Sequence, residues 1–145
     1  MTDYQARWAA KVMAEVKRHR RAVDRLFAVP HILARLAQQG EGPVGMSRLV
    51  DDLGREPELR DQVPESLRHW VRLTAEQFSE AQQEGSIRND ISAELLAEVA
   101  VGGFMGMQTM TRQLGDDALE RRVKVLIDVV RRLTEKQTTT RRKSP

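Results

Sequence analysis

The segment from Leu95 to Met110 constrains the fold most, because it is the longest nearly uncharged stretch of the chain that is compatible with a helix. A helix that is apolar most of the way round cannot face water on any broad side, so the rest of the chain or a second subunit has to cover it. Gly102, Gly103 and Gly106 each cost such a helix about 1 kcal/mol relative to alanine. Close approach of another helix or of a ligand compensates for this cost, and contacts within one subunit and between two subunits both remain open at this point.

The composition is that of an all-α protein. Leu, Ala, Glu, Arg and Gln abound, aromatic residues make up only 4% of the chain, and stretches with the period-two alternation of strands are missing. At 145 residues the chain is expected to form one domain. It contains no cysteine and therefore no disulfide framework. Because a signal sequence is absent and the apolar segment is too short to cross a bilayer, we expect a cytoplasmic protein without membrane contact.

Helical periodicity predicts six helices. The first begins at a capping-box pattern formed by Thr2 and Gln5 and runs to Phe27. The others are short helices from Pro30 to Gly40 and from Met46 to Leu53, and long ones from Pro64 to Gly85, from Asp90 or Ser92 to Leu114, and from Asp116-Asp117 to Leu133. Residues 1–134 are therefore expected to form the domain and residues 135–145 a disordered basic tail.

The sequence Gly40-Glu41-Gly42-Pro43-Val44-Gly45 has the G-x-G-x-x-G spacing of a dinucleotide-binding loop. That motif requires a preceding strand and a parallel sheet, whereas here a helical pattern ends at Gln38-Gln39. A helix end followed by a proline-containing turn explains these residues, and no cofactor is expected.

The two long apolar helices near the C-terminus are joined by a very short turn, which predicts an antiparallel hairpin. This hairpin carries more apolar surface than the short upstream helices can easily cover, so a homodimer is expected. Two hairpins related by a two-fold axis form an intermolecular four-helix bundle. The predicted contacts between the subunits are Gly102, Gly103 and Gly106 on one helix and Leu126 and Val130 on the other.

Four segments of the sequence, which follow one another in a particular order along the chain, resemble a known family. They are Gly45–Asp51, Val63–Trp70, Ala81–Ile87 and Val101–Gln108. Together they resemble the ligand-binding and dimerisation core of TetR-type repressors and, within that family, the γ-butyrolactone (A-factor type) receptors. The resemblance implies a helical bundle that senses a small amphiphile and pairs through its last two helices.

TetR-type proteins also carry an N-terminal helix-turn-helix ahead of this core, and residues 1–145 leave no room for one. The expectation is therefore the sensing and pairing half of a repressor. DNA is expected as a partner only where preceding residues or a partner chain supply a helix-turn-helix.

The resemblance matches Trp70 to the tryptophan that lines the lactone pocket, where an indole offers a small apolar ligand a flat wall. Gln108 is a polar group on an otherwise apolar helix, able to bond a lactone carbonyl or a hydroxyl. Phe78, Phe104 and Met107 are predicted as further pocket walls. For Trp70, Phe78, Phe104 and Met107 a place in the core is the alternative, and for Gln108 the alternative is a hydrogen bond between subunits.

Catalytic and metal-binding patterns are absent from the sequence. His19, His31 and His69 have no metal-ligand spacing, and Ser66 lacks the G-x-S-x-G context of a nucleophile. We therefore expect no enzyme and no metal site.

The charge pattern supports a second hypothesis. Both ends of the chain are rich in Lys and Arg although the net charge is only +3, so the body is acidic. A stand-alone helical dimerisation protein without a ligand, which contacts nucleic acid or a partner regulator through these basic ends, is the alternative function.

Overall fold

The computed structural model of the chain describes residues 3–38, 55, 57 and 62–136. Five helices lie within these residues: α1 (Asp3–Val16), α2 (Ala22–Gln38), α3 (Gln62–Gln83), α4 (Ala93–Leu114) and α5 (Leu119–Thr134). The described residues contain no strand, so the predicted all-α class is confirmed. The predicted turn at Gly40–Gly45, the predicted helix from Met46 to Leu53 and most of the predicted tail lie outside the described residues.

The main core lies between α2, α3, α4 and α5. Its largest buried side chains include Phe27, Phe78, Leu96, Val123 and Ile127, which remove their apolar surface from water. α1 packs mainly on α2 and shares with it a smaller, separate cluster of buried residues, namely Val12, Val16, Ile32 and Leu36. The fold therefore consists of a four-helix body with α1 laid against one of its helices.

The predicted single helix from Thr2 to Phe27 is wrong, because the chain turns at residues 17–21 and starts a new helix at Ala22. Both carboxylate oxygens of Glu84 accept the backbone N–H of Ala22 at 3.1 Å, which caps α2. Arg25 Nη1 donates to the carbonyl oxygens of His19 and Arg20, at 3.1 and 2.7 Å. These hydrogen bonds satisfy backbone N–H and C=O groups that have no partner within a helix where the chain turns.

Pro30 was expected to break the chain or to begin a helix, and it lies instead inside α2. Proline removes one donor, so the carbonyl group four residues earlier, that of Leu26, has no partner within the helix. Leu26 is itself buried in the main core, and its neighbour Phe27 packs there as well. Ala34, after Pro30, is buried in the same core, so tertiary packing on both sides of the proline outweighs the local cost, and the prediction of a boundary here is wrong.

The ends of α4 follow the sequence signals closely. Ser92 Oγ accepts the backbone N–H of Leu95 at 3.1 Å, and Gly115 ends the helix in the left-handed region with a φ of 65°. Asp116 Oδ1 then accepts the N–H of Ala118 at 3.1 Å, and Arg122 binds both oxygens of Asp116, at 2.6 and 2.7 Å. The short turn therefore sets α5 antiparallel to α4, as the hairpin pattern predicts.

The cap on α2 leads to a stability prediction. Replacing Glu84 by Ala leaves the N–H of Ala22 without its acceptor, and we expect the free energy of unfolding to fall by about 1 kcal/mol. Glu80, one turn earlier on α3, forms only an exposed ion pair with Arg25 at 3.5 Å. Glu80→Ala is therefore the matched control, with an expected change below about 0.5 kcal/mol. Urea denaturation measures both values, and equal losses would contradict a cap specific to Glu84.

The ion pair in the α4–α5 turn leads to a prediction about pH. Hydrogen bonds from Arg122 and from the N–H of Ala118 hold the pKa of Asp116 at about 2, below its ordinary value of 3.8. A lowered folded-state pKa stabilises the fold above the unfolded-state pKa, and this contribution is lost as the pH falls through the folded-state value. The difference in unfolding free energy between the parent and Asp116→Asn should therefore be constant above about pH 5 and shrink towards pH 2.

Urea denaturation over a pH series measures this difference. Asp128→Asn, an exposed substitution on α5, controls for the loss of one negative charge. A difference for Asp116→Asn that stays unchanged down to pH 2 would show that the ion pair does not stabilise the turn.

Candidate functional site

The residues predicted to bind a ligand lie on two helices that pack against each other. Phe78 on α3 is 1% exposed, Trp70 is half-buried, and on α4 both Phe104 and Met107 are partly buried against the main core. Gln108 is half-buried next to Met107. Four of the five residues therefore retain some exposure, whereas Phe78 is enclosed in the core.

Trp70 and Gln108 lie at the same level of the α3–α4 pair. The two helices are joined by residues 84–92 and run antiparallel, so distance from this connection can be compared between them. At a rise of 1.5 Å per residue, Trp70 and Gln108 each lie about 20 Å from the connection. By this count, the predicted indole wall and the predicted polar contact lie at similar heights along their two helices.

Gln108 carries the one buried side-chain oxygen or nitrogen without a hydrogen-bond partner among the described residues, its Oε1. The hydroxyl of Thr111, one turn further along α4, is already engaged, because it donates to the carbonyl oxygen of Met107 at 2.8 Å. A buried acceptor left unpaired costs about 1–3 kcal/mol. Such an atom at a predicted ligand position is a place where a donor would be stabilising.

The two most prominent spaces between the described residues do not include an enclosed cavity beneath Trp70. These are two open grooves of about 410 and 330 Å³, and neither is lined by Trp70 or Gln108. The first lies over α2 and the second beside the α3–α4 connection. The prediction of a pocket is therefore supported only by its wall residues and by the unpaired oxygen of Gln108.

An apolar face that is exposed to solvent covers one flank of α4 and the adjoining flank of α5. We call it the α4–α5 face, and its large apolar residues are Leu95, Val99, Met110, Leu114, Val125, Val129 and Leu133, each at least 39% exposed. Seven such residues on two adjacent helices exceed the scattered apolar residues of an ordinary surface. A face of this kind is typical of a surface that a partner covers.

Gly102 and Gly106 lie on the α4–α5 face, and a Cβ atom at either position would have nothing within 4 Å. Gly103 differs, because its Cβ would lie 2.7 Å from Cδ1 of Leu126. Val130 is 5% exposed in the main core. Of the five residues predicted at the dimer interface, two are thus open to a partner, two pack against each other within the subunit, and one is buried in its core.

Gln108 lies on the opposite side of α4 from this face. It follows Gly106 by two residues, which corresponds to a rotation of about 200° around a helix. The two glycines face solvent, whereas Gln108 has the buried Oε1. This placement separates Gln108 from a bundle formed through the α4–α5 face, so it favours the ligand over the contact between subunits as the interpretation of this residue.

Sequence reasoning did not assign the exposed members of the α4–α5 face to pairing. Leu95 and Val99 belong to a segment that is uncharged on nearly all sides, and Val125 and Val129 only widen an apolar stripe. Their spacing of four residues, shared with the open glycines, was the available signal. It could not show which of the two apolar flanks packs inside the subunit.

The described residues contain no group of three or more His, Asp or Glu side chains arranged to hold a metal ion. No helix in the described part of the chain is long and apolar enough to span a membrane.

Comparison with known protein families supports the interpretation of the fold and of its paired helices. The family model of the tetracyclin repressor-like C-terminal domain matches residues 22–127, which is most of the chain. The protein therefore belongs to the TetR family and contains its C-terminal regulatory domain, the ligand-binding and dimerisation part of these regulators. Comparisons with curated proteins and with solved structures gave no match.

Proposed function

We propose that the chain is the homodimeric ligand sensor of a TetR-family transcriptional regulator, and that the second copy covers the α4–α5 face. The observation that carries this proposal is the exposure of seven large apolar residues on that face together with the open Gly102 and Gly106. A two-fold axis through the face makes the contact self-complementary, so that four helices form one bundle. Glycines at its centre let the two backbones approach closely.

Pairing can be tested by placing a charge in the α4–α5 face. Val129 is 57% exposed, so Val129→Glu leaves the fold of the single subunit intact, whereas a dimer would bury the new carboxylate. We expect Val129→Glu to weaken dimerisation at least about a hundredfold, equivalent to about 3 kcal/mol. Sedimentation equilibrium measures the dissociation constant.

Lys124→Glu is the control, because Lys124 is exposed on α5 on the flank away from Val125 and Val129. It should dimerise like the parent. A monomeric parent, or equal dissociation constants for the parent and Val129→Glu, would contradict pairing through this face.

The proposed ligand is a small amphiphile of the γ-butyrolactone type, held between α3 and α4. Trp70, Phe104 and Met107 provide partly exposed apolar walls, and Oε1 of Gln108 provides an acceptor for a hydroxyl group of the ligand. The apolar walls and the neutral amide of Gln108 suit an uncharged ligand.

α4 takes part in both proposed contacts, which suggests how the ligand acts. Gln108 and Gly106 lie two residues apart on opposite sides of the helix, so a shift of α4 changes both the ligand site and the bundle. A ligand that binds one arrangement of the dimer more tightly shifts the population towards it. In a TetR-type repressor such a shift would change the spacing of the DNA-reading heads and end repression.

Ligand binding can be followed by tryptophan fluorescence, since the chain has two tryptophans, Trp8 and Trp70. We expect a γ-butyrolactone with an alkyl chain and a hydroxyl group to quench the parent saturably. In Trp70→Phe, which retains Trp8, the quenching should disappear.

Gln108→Leu tests the polar contact separately. It should weaken binding at least about tenfold and raise the stability of the free protein, because it removes an unpaired buried acceptor. A flat response in a parent that is confirmed as a folded dimer would contradict the lactone proposal and favour the alternative, a dimerisation protein without a ligand.

A further inference from the structure

The outer surface of α2 forms the floor of a groove of about 410 Å³, on the side of the main body where α1 ends. The floor is apolar and includes Phe27, Ala28 and Ile32, of which Ala28 and Ile32 are four residues apart on one face of α2. The groove is separate from the α3–α4 residues of the proposed sensor site and from the α4–α5 face. Its volume falls within the range of small-molecule sites, which is about 300–1,000 Å³.

Arg131 of α5 is held over this floor by stacking. Its guanidinium carbon lies 4.5 Å from the centre of the Phe27 ring. Stacking occupies one face of the guanidinium and leaves its N–H edge free, and within the described residues this edge has no hydrogen-bond partner. A planar fork fixed on an aromatic ring is pre-organised to bind a carboxylate with two parallel hydrogen bonds.

The charges along the groove favour an anion with a single charge. The rim carries Arg18, Arg35 and Arg131 against Glu15 and Asp24. Arg35 is already paired with Glu15 at 2.5 Å, so it is neutralised locally. Arg18 and Arg131 remain against the single carboxylate of Asp24, which gives a net charge near +1 with neutral histidines. A monoanionic carboxylate matches this balance, whereas the charge of a dianionic phosphate exceeds it.

We propose that this groove is a second ligand site, independent of the proposed sensor function, and that it takes a small flat carboxylate with an apolar ring. The carboxylate binds the N–H edge of Arg131, and the ring lies on the floor formed by Ala28 and Ile32. Arg18 at the end of the groove adds long-range attraction. The ligand therefore contacts α2 and α5 and lies close to the turn after α1.

The probe for this site is 2-naphthoate, measured by isothermal titration calorimetry on the full chain. The parent should bind it with a saturable isotherm. Arg131→Gln should weaken binding at least about tenfold, because one charge-assisted contact is lost. Arg132→Gln is the matched control, since Arg132 is an exposed neighbour on α5 that does not line the groove, and it should bind like the parent.

Two further binding measurements distinguish this groove from the other proposed sites. The neutral analogue 2-naphthamide should bind at least about tenfold more weakly than 2-naphthoate, because it lacks the charge. Trp70→Phe should bind 2-naphthoate like the parent, so failure of the sensor proposal leaves this result unchanged. The proposal is overturned if the parent does not bind 2-naphthoate, if Arg131→Gln binds it like Arg132→Gln, or if Trp70→Phe alone abolishes binding.

Discussion

The apolar character of α4 on two opposite flanks is the constraint on which the rest of the structure depends. One flank, with Leu96 and Ala97, is buried against the body of the subunit and supplies a large part of its core. The other flank, with Leu95 and Val99, is exposed in the single chain. Because the hydrophobic effect acts on both flanks alike, the interaction that folds the subunit also favours a second copy on its outer side.

The three glycines of α4 differ in whether the folding of one subunit or the pairing of two subunits explains them. Gly103 has a reason within the subunit, because a side chain there would meet Leu126. Gly102 and Gly106 have none, since the space around both positions is open. Each still costs the helix about 1 kcal/mol relative to alanine. Nothing within the described part of the subunit offsets this cost at these two positions, and close backbone approach in the proposed two-fold bundle would offset it.

Local signals in the sequence were enough for most of the described body. Ser92, Gly115 and the helical periodicity located α4 and the turn to α5, because capping and glycine conformation depend on neighbouring residues. The break before Ala22 could not be predicted in this way, since its cap comes from Glu84, 62 residues away. The candidate site divides similarly. Composition drew attention to Gln108, but only the packing of α4 shows that its Oε1 is buried without a partner and lies away from the open glycines.

The attachment of α1 bears on how the N-terminal part of the chain communicates with the body. Its buried contacts form a small cluster with Ile32 and Leu36, apart from the main core. A small cluster opens at a lower free energy than a large one, so α1 is the element that separates first from the rest. A ligand in the groove lined by Arg18 and Arg131 would lie between the turn after α1 and α5, and so couple the attachment of α1 to the helix that carries half of the proposed pairing face.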